Sequence, residues 1–214
     1  MAQKIYALGV GHNTPVFIDL AEQCGYEILG LYHYNGERTG EIDHGFQILG
    51  SFDDLFSKGN LQGQDFLLTM GDNQIRSQLL EKILCNGGNV PSIFHPTAVI
   101  SRFAKISRTG VYISAFSHIQ ADTIIEDGTV ILSGVNIYHT NKIGKYCFIA
   151  GGATIGAYTT MEDYVFVGQG ALSISGKVDI IGAHAYIGAR SLLTKSVEAN
   201  TVVAGSPASI IKYL

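Results

Sequence analysis

The chain has 214 residues, of which 46% are hydrophobic and 15% charged, a composition typical of a folded protein rather than a disordered one. Its formal net charge of −4 argues against a surface that binds nucleic acid or an anionic membrane. The sequence lacks a signal-peptide pattern and any apolar run near the ~20 residues that span a bilayer. We therefore expect a cytoplasmic protein without membrane insertion.

The first 90 or so residues alternate strand and helix patterns. The apolar run at 5–8 predicts a buried strand, and a glycine turn at 9–13 follows it. Asn13 or Thr14 is expected to cap a helix that ends at Gly25. The later predicted elements are a strand at 26–32, a loop at 33–45, a short helix at 51–56, a strand at 66–68 and a helix capped by Asp72 or Asn73. Such alternation implies a small parallel α/β sheet.

Beyond residue 94 the pattern changes to a strict period of six. A branched aliphatic residue or methionine recurs at Ile113, Ile119, Ile125, Ile131, Ile137, Ile143, Ile149, Ile155, Met161 and Val167. Neither a helix nor one continuous strand has this period. Short strands that each turn a corner and point one apolar side chain at a shared axis do have it, so the sequence predicts a parallel β-helix. The ladder breaks near 173–179, where we expect a loop that leaves the solenoid, and resumes at Ile181.

Six motifs in a fixed order carry a family resemblance. They are Gly9-Val10-Gly11-His12, Ile48-Leu49-Gly50 before Asp53-Asp54-Leu55, Gly71-Asp72-Asn73 with Arg76, His95-Pro96-Thr97-Ala98, Tyr138-His139 before Ile143-Gly144, and Gly205-Ser206-Pro207-Ala208. The chain resembles the left-handed hexapeptide-repeat acetyltransferases that modify amino sugars and sialic acids for bacterial surface glycans. The resemblance implies an N-terminal Rossmann-like α/β domain (1–92) that binds a nucleotide sugar, then a left-handed parallel β-helix (93–214) with a C-terminal cap.

The resemblance also implies a catalytic base, His139. An imidazole titrates near neutral pH and suits proton removal from an attacking amine or hydroxyl; the alternative is a solvated corner histidine. The family usually has Asp or Glu at the next position, where this chain has Thr140, so another partner or a weaker contact must orient the ring. Some relatives carry a second histidine where this chain has Phe148, so a backbone N–H near Gly151-Gly152 or Gly156 is expected to contact the oxyanion.

Further site residues follow from the same resemblance. The substrate's phosphates are expected at Gly9, Gly11 and His12, and its base at Tyr32 and Tyr34, while Asp72 and Asn73 either contact substrate or only cap a helix. Arg76 could be a solvated charge. Acetyl-CoA, the expected acetyl donor, is assigned to Gly152, Ile155, Gly168, Gly170, Ala189, Lys195, Gly205 and Pro207, for which turn geometry is the alternative. No Cys/His spacing suggests a metal, so none is expected.

The predicted activity is N-acetylation of a nucleotide-linked amino sugar, such as a 4-amino-4,6-dideoxyhexose, by direct attack on the thioester. No Cys or Ser sits in a convincing nucleophile–base pair, so no acyl-enzyme is expected. The flat sides of a triangular prism favour a homotrimer. Two alternatives stay open: O-acetylation of a sialic acid or a similar sugar, and a non-catalytic trimeric scaffold or binding protein.

Overall fold

The computed structural model describes residues 2–57 and 59–214. The chain divides into two compact units, residues 1–93 and 94–214. Within the described residues, no helix is both long enough and apolar enough to cross a membrane.

The first unit is a five-stranded α/β sheet. Its elements are β1 (Gln3–Leu8), α1 (Thr14–Gln23), β2 (Tyr26–His33), β3 (Ile42–Asp43), β4 (Phe46–Ser51), α2 (Phe52–Ser57), β5 (Phe66–Leu68) and α3 (Asn73–Cys85). The strand order is β3-β4-β2-β1-β5, and all pairs are parallel except the β3–β4 hairpin. The parallel α/β arrangement predicted from the sequence is confirmed.

Two local predictions in this unit need correction. The segment 33–45, predicted as a loop, contains strand β3. His44 and Gly45 follow this strand, both have positive φ, and they form the tight turn of the hairpin between β3 and β4. Asn13 precedes helix α1 but makes no side-chain cap bond. The Thr14 hydroxyl accepts a hydrogen bond from the Gly11 N–H at 2.9 Å instead, so it stabilises the glycine turn.

The second unit is a left-handed parallel β-helix, as predicted. Its strands are β6 (Ile93–Phe94), β7 (Val99–Ile100), β8 (Lys105–Ile106), β9 (Tyr112–Ile113), β10 (His118–Ile119), β11 (Ile124–Ile125), β12 (Val130–Ile131), β13 (Asn136–Ile137), β14 (Lys142–Ile143), β15 (Phe148–Ile149), β16 (Thr154–Ile155), β17 (Thr160–Met161), β18 (Phe166–Val167), β19 (Leu172–Ser173), β20 (Ile180–Ile181), β21 (Tyr186–Ile187), β22 (Leu192–Leu193), β23 (Thr201–Gly205) and β24 (Ala208–Tyr213).

These strands form three sheets around one apolar core. Sheet I contains β7, β10, β13, β16, β19 and β22; sheet II contains β8, β11, β14, β17 and β20; sheet III contains the rest. Ile119 pairs with Ile137 in sheet I, and Ile125 with Ile143 in sheet II. The ten ladder residues named above are each at most 1% exposed, so the six-residue period marks the side chains that fill the core.

Corners between the sheets require left-handed backbone. Thr140 (φ 59°) and Tyr158 (φ 66°) occupy equivalent corner positions in successive coils, and Gly176 (φ 66°) occupies the next. Positive φ is uncommon outside glycine and is least favourable for β-branched or bulky side chains. The solenoid therefore holds Thr140 and Tyr158 in conformations that neither residue prefers.

The break in the ladder is smaller than predicted. Ser173 continues the ladder with a 2% exposed side chain, and Ile181 follows after eight residues instead of six. Val178 inside this segment is buried, and the Ile174 N–H donates to the Leu193 carbonyl at 3.1 Å. The segment is a widened corner between sheets I and II, so the prediction of a loop leaving the solenoid is wrong. The six-residue ladder continues through Ser173, and the apolar pattern did not show this because serine is polar.

Candidate active site

His139 lies at a corner of the β-helix between β13 and β14, and its side chain is exposed. Its backbone N–H donates to Gln120 Oε1 at 3.1 Å, from the preceding coil. Its carbonyl accepts from the Tyr158 N–H at 3.4 Å, from the following coil. The neighbouring coils therefore fix the backbone of His139 from both sides and leave the imidazole to face outward.

Two side chains orient the imidazole. The Nδ1 atom is 3.1 Å from Thr140 Oγ1, and the Tyr158 ring stands perpendicular to the imidazole with centroids 5.1 Å apart. Among the described residues, none is hydrogen-bonded to Nε2. The ring partner that the sequence left open is thus the hydroxyl of the adjacent threonine, and Nε2 is the nitrogen that remains for a substrate.

Backbone donors near this corner are mostly engaged. The Gly156 N–H donates to Ser173 Oγ at 2.8 Å. Gly151 and Gly152 lie at a different corner, between sheets III and I, and the Gly152 N–H donates to the Ser133 carbonyl at 3.0 Å. The Ala157 N–H, next to Gly156, donates to Ser175 Oγ at 2.9 Å. Because Ser175 is exposed, its hydroxyl is the most readily displaced of these acceptors.

A second candidate region is a pocket of about 320 Å³ in the first unit. The glycine turn 9–14, His33, Tyr34, Phe52, residues 69–71 and Ile75 line it. The pocket lies at the carboxyl ends of β1, β2 and β5, where parallel α/β sheets bind ligands. The Tyr34 ring is 70% exposed and lies 4.2 Å from the His33 ring. Gly9, Gly11, His12 and Tyr34, predicted to bind substrate, are thus brought together.

The two glycines of the turn differ in their surroundings. Gly9 has φ +110°, and a Cβ added there would overlap Thr69 Oγ1, so the turn itself requires glycine. A Cβ at Gly11 would meet nothing within 4 Å. The geometry of the turn is therefore sufficient to explain the glycine at position 9. Gly11, in contrast, borders open space in the pocket.

Tyr32 does not line this pocket. Its side chain is 3% exposed and packs edge-on against Tyr6, with centroids 6.0 Å apart. Strand β2 ends at His33, so Tyr34 lies beyond the strand, whereas Tyr32 is part of the strand and its side chain is buried. The aromatic pair at the pocket is therefore His33 with Tyr34, and the assignment of Tyr32 to base stacking needs this correction.

Asp72 and Asn73 make structural hydrogen bonds rather than lining the pocket. Asp72 Oδ1 accepts from the Ile75 N–H at 2.9 Å and caps helix α3. Asn73 Oδ1 accepts from Arg76 Nη2 at 2.8 Å, and Arg76 is fully buried. Its guanidinium also donates to the Met70 carbonyl at 3.3 Å. Arg76 is therefore not a solvated charge, and its hydrogen bonds stabilise the loop that borders the pocket.

Replacing Asp72 by alanine is expected to destabilise the protein by about 1 kcal/mol, the usual cost of a lost N-cap, without weakening ligand binding. Chemical denaturation measures the first effect. Asp19→Ala, at an exposed position inside helix α1, is the control and should change stability by less than about 0.5 kcal/mol. Weaker substrate binding by Asp72→Ala at unchanged stability would contradict the capping role.

A charged pocket of about 280 Å³ adjoins the glycine turn and shares Val10, Gly11 and His12 with the first. Its other lining residues are Pro15, Arg38, Asp43 and His44. Arg38 Nε is 2.7 Å from Glu41 and its Nη2 is 3.1 Å from Asp43. Hydrogen bonds, first from His44 and then from Arg38, hold the pKa of Asp43 below its usual value. Sequence reasoning missed this cluster because it lies in a segment that looked only polar.

Comparisons with known proteins identify the family. Residues 4–83 match the PglD N-terminal domain family. The GDP-perosamine N-acetyltransferase of Escherichia coli O157:H7 is 31% identical over 198 residues, covering 90% of this chain and 87% of that enzyme. The chain belongs to the hexapeptide-repeat sugar acetyltransferases. The resemblance and the acyltransferase class predicted from the sequence are confirmed.

Two solved structures share the acetyltransferase fold. The acetyltransferase domain of PglB from Neisseria gonorrhoeae FA1090, solved with acetyl coenzyme A, has a TM-score of 0.86 and 24% identity, over 99% of this chain and all of that one. PerB from Caulobacter crescentus, solved with CoA and GDP-perosamine, has a TM-score of 0.56 and 20% identity, over 99% of each chain. Both likenesses concern the fold.

The residues of this acetyltransferase that were assigned to acetyl-CoA fall in three places. Gly152, Gly168, Gly170 and Ala189 lie at the corner between sheets III and I. A Cβ at Gly168 would lie 2.6 Å from the Ala189 nitrogen, so close coil packing alone requires that glycine. Lys195 lines a pocket of about 170 Å³ with 193–198 and 208–210. Gly205 ends strand β23, Pro207 lies in the turn between β23 and β24, and both are exposed.

Ile155 is the exception among these assignments. Its side chain is 1% exposed and belongs to the core of the β-helix, so any contact of this residue with a cofactor would involve its backbone.

For metals, the described residues contain no group of three or more His, Cys, Asp or Glu side chains that could hold an ion.

Proposed function

We propose that this chain is an acetyl-CoA-dependent N-acetyltransferase that acts on a nucleotide-linked amino sugar, such as a 4-amino-4,6-dideoxyhexose, in bacterial surface glycan synthesis. The observation that carries the proposal is His139: its side chain is exposed, Thr140 contacts its Nδ1 atom, and no hydrogen bond engages Nε2 among the described residues. The E. coli relative named as a GDP-perosamine N-acetyltransferase supports the acceptor class. The acetyl-CoA complex of the PglB domain supports the donor.

In the proposed reaction the acceptor amine attacks the thioester carbonyl carbon. His139 Nε2 takes the amine proton as the C–N bond forms. When the C–S bond breaks, the imidazolium returns that proton to the departing thiolate, so the enzyme ends in its starting state. The Ala157 N–H is the backbone donor we assign to the oxyanion, because its present acceptor, the exposed Ser175 hydroxyl, can give way to a carbonyl oxygen. No acyl-enzyme is formed.

We assign nucleotide binding to the first unit. Backbone N–H groups at the start of helix α1 favour an anion such as a diphosphate, and Gly11 and His12 border open space there. Tyr34, with most of its ring exposed beside His33, provides a face on which a base can stack. The mixed charges of Arg38, Asp43 and His44 border the same turn and provide polar contacts for the rest of the substrate.

Tyr34→Ala is expected to weaken binding of the nucleoside diphosphate about tenfold, because base stacking on an aromatic ring contributes about 1–3 kcal/mol. Calorimetric titration with UDP, dTDP and GDP measures the effect for whichever nucleotide the wild type binds. Tyr34→Phe keeps the ring and should bind like the wild type. Equal weakening by both variants would assign the effect to the hydroxyl and contradict stacking.

The decisive experiment is an acetyl-transfer assay with acetyl-CoA and a panel of UDP-, dTDP- and GDP-linked 4-amino sugars. The proposal requires thiol release and an N-acetylated product with at least one of them. The absence of turnover with every member would refute it.

Light scattering at micromolar concentration tests the proposed homotrimer, and a monomer would contradict it.

A further inference from the structure

The imidazole of His139 is oriented by neutral groups. Its two side-chain contacts are the Thr140 hydroxyl at Nδ1 and the perpendicular ring of Tyr158. Within the described residues of the β-helix, no carboxylate oxygen lies within 4.0 Å of either ring nitrogen. The titratable side chains of its own and the adjoining corners are Asp122, Tyr138 and Tyr158. We propose that Thr140 and Tyr158 are positioning residues for His139, and that their neutrality restricts the enzyme to amine acceptors over hydroxyl acceptors.

Thr140 is well placed to fix the ring. Its N–H donates to the Ala121 carbonyl at 3.0 Å, and its left-handed backbone at φ 59° sets the direction of its side chain. A base must present an unprotonated Nε2, so Nδ1 carries the proton and donates it to Thr140 Oγ1. The hydroxyl can accept this bond and so accommodates the tautomer that catalysis needs, and the Tyr158 ring limits rotation of the imidazole.

A neutral partner has a chemical consequence. In a His–carboxylate pair, the carboxylate stabilises the imidazolium that forms as the proton moves. A hydroxyl orients the ring without supplying that charge, so it stabilises the imidazolium less than a paired carboxylate would.

Amine and hydroxyl acceptors differ in how strongly their attack depends on the base that removes their proton. A neutral amine attacks with its own lone pair and becomes acidic once the C–N bond forms, so a weak base suffices. A sugar hydroxyl has to lose its proton as it attacks and depends on a stronger base. This inference rests on the proposed function and specifies the acceptor atom of the same site.

Matched variants separate orientation from structure. Thr140→Val keeps the side-chain shape and removes the hydroxyl, whereas Thr140→Ser keeps the hydroxyl. We expect Thr140→Val to lower kcat about tenfold, the value of one lost hydrogen bond in the transition state, with little change in KM. Thr140→Ser should retain most of the activity. Thr160→Val, at an exposed position on sheet II, is the control and should match the wild type.

Thr140→Asp tests the role of charge. A carboxylate beside Nδ1 favours the imidazolium, so the acidic limb of the kcat/KM–pH profile should move to higher pH by about one unit. The assay compares the amino sugar with its 4-hydroxy counterpart on the same nucleotide. We expect the wild type to acetylate only the amine, and Thr140→Asp to raise the hydroxyl-to-amine ratio of kcat/KM.

Three results would overturn the inference: equal kcat for Thr140→Val and Thr140→Ser, an unmoved acidic limb in Thr140→Asp, or comparable wild-type rates with both acceptors. An unmoved limb would mean that a carboxylate from elsewhere already faces His139. A wild type that acetylates the amine while Thr140→Val is unaffected refutes only this inference. A wild type inactive toward the whole panel refutes the proposed function.

Discussion

Replacing His139 by alanine is expected to lower kcat roughly 10²- to 10⁴-fold, the range for loss of a general base, with a much smaller change in KM. The side chain is exposed, and its Nδ1 contact is with the adjacent Thr140. The β-helix should therefore fold as before, with unchanged circular dichroism and oligomeric state. Steady-state kinetics with acetyl-CoA and the active amino sugar of the panel give the measurement.

His118→Ala is the matched control for this experiment. His118 is an exposed histidine on strand β10 of sheet I, beside the strand that leads to His139, and we assign it no role in the reaction. Its loss should change kcat by less than about twofold, as for a surface substitution away from the site. If His139→Ala stays as active as His118→Ala, another group removes the proton.

Replacing Ile143 by alanine is expected to destabilise the β-helix by about 2–5 kcal/mol, the cost of a cavity at a fully buried aliphatic position. Ile143 is 0% exposed and pairs with Ile125 and Met161 in the coils on either side, so little of the lost packing can be recovered by collapse. Chemical denaturation at fixed protein concentration provides the measurement.

Ile180→Ala provides the contrast on the same sheet. Ile180 precedes the ladder residue Ile181 and is 47% exposed, so its loss should cost less than about 1 kcal/mol. Equal costs for the two substitutions would show that the inward and outward positions of sheet II contribute alike. That outcome would contradict the assignment of the core from the six-residue period.

The β-helix could be predicted from the sequence because every coil repeats the same pattern. An apolar side chain such as Ile137 or Ile149 enters the core at every sixth residue, and these residues are recognisable in the sequence. At Ser173 the core position holds a hydroxyl that accepts a hydrogen bond from the Gly156 N–H, and a search for apolar residues does not detect it. The ladder was therefore predicted except where a polar group replaced the apolar one.

Side-chain contacts in the candidate site were less predictable. The identity of Thr140 suggested a missing partner for His139, whereas its left-handed backbone brings the hydroxyl to Nδ1. Tyr32 and Tyr34 looked equivalent along the chain, but the end of β2 separates a buried ring from an exposed one. Each outcome depends on local backbone geometry that residue type does not determine.

The widened corner after Ser173 shows how this architecture can change without losing its core. Each strand takes its hydrogen-bond partners from the coils before and after it, so the two extra residues do not propagate: Ile181 still pairs with Met161. The corner stacks in the same column as His139 and Tyr158. Evolution or protein engineering can lengthen or shorten this edge to reshape the space beside the base, while the strands on either side keep their register.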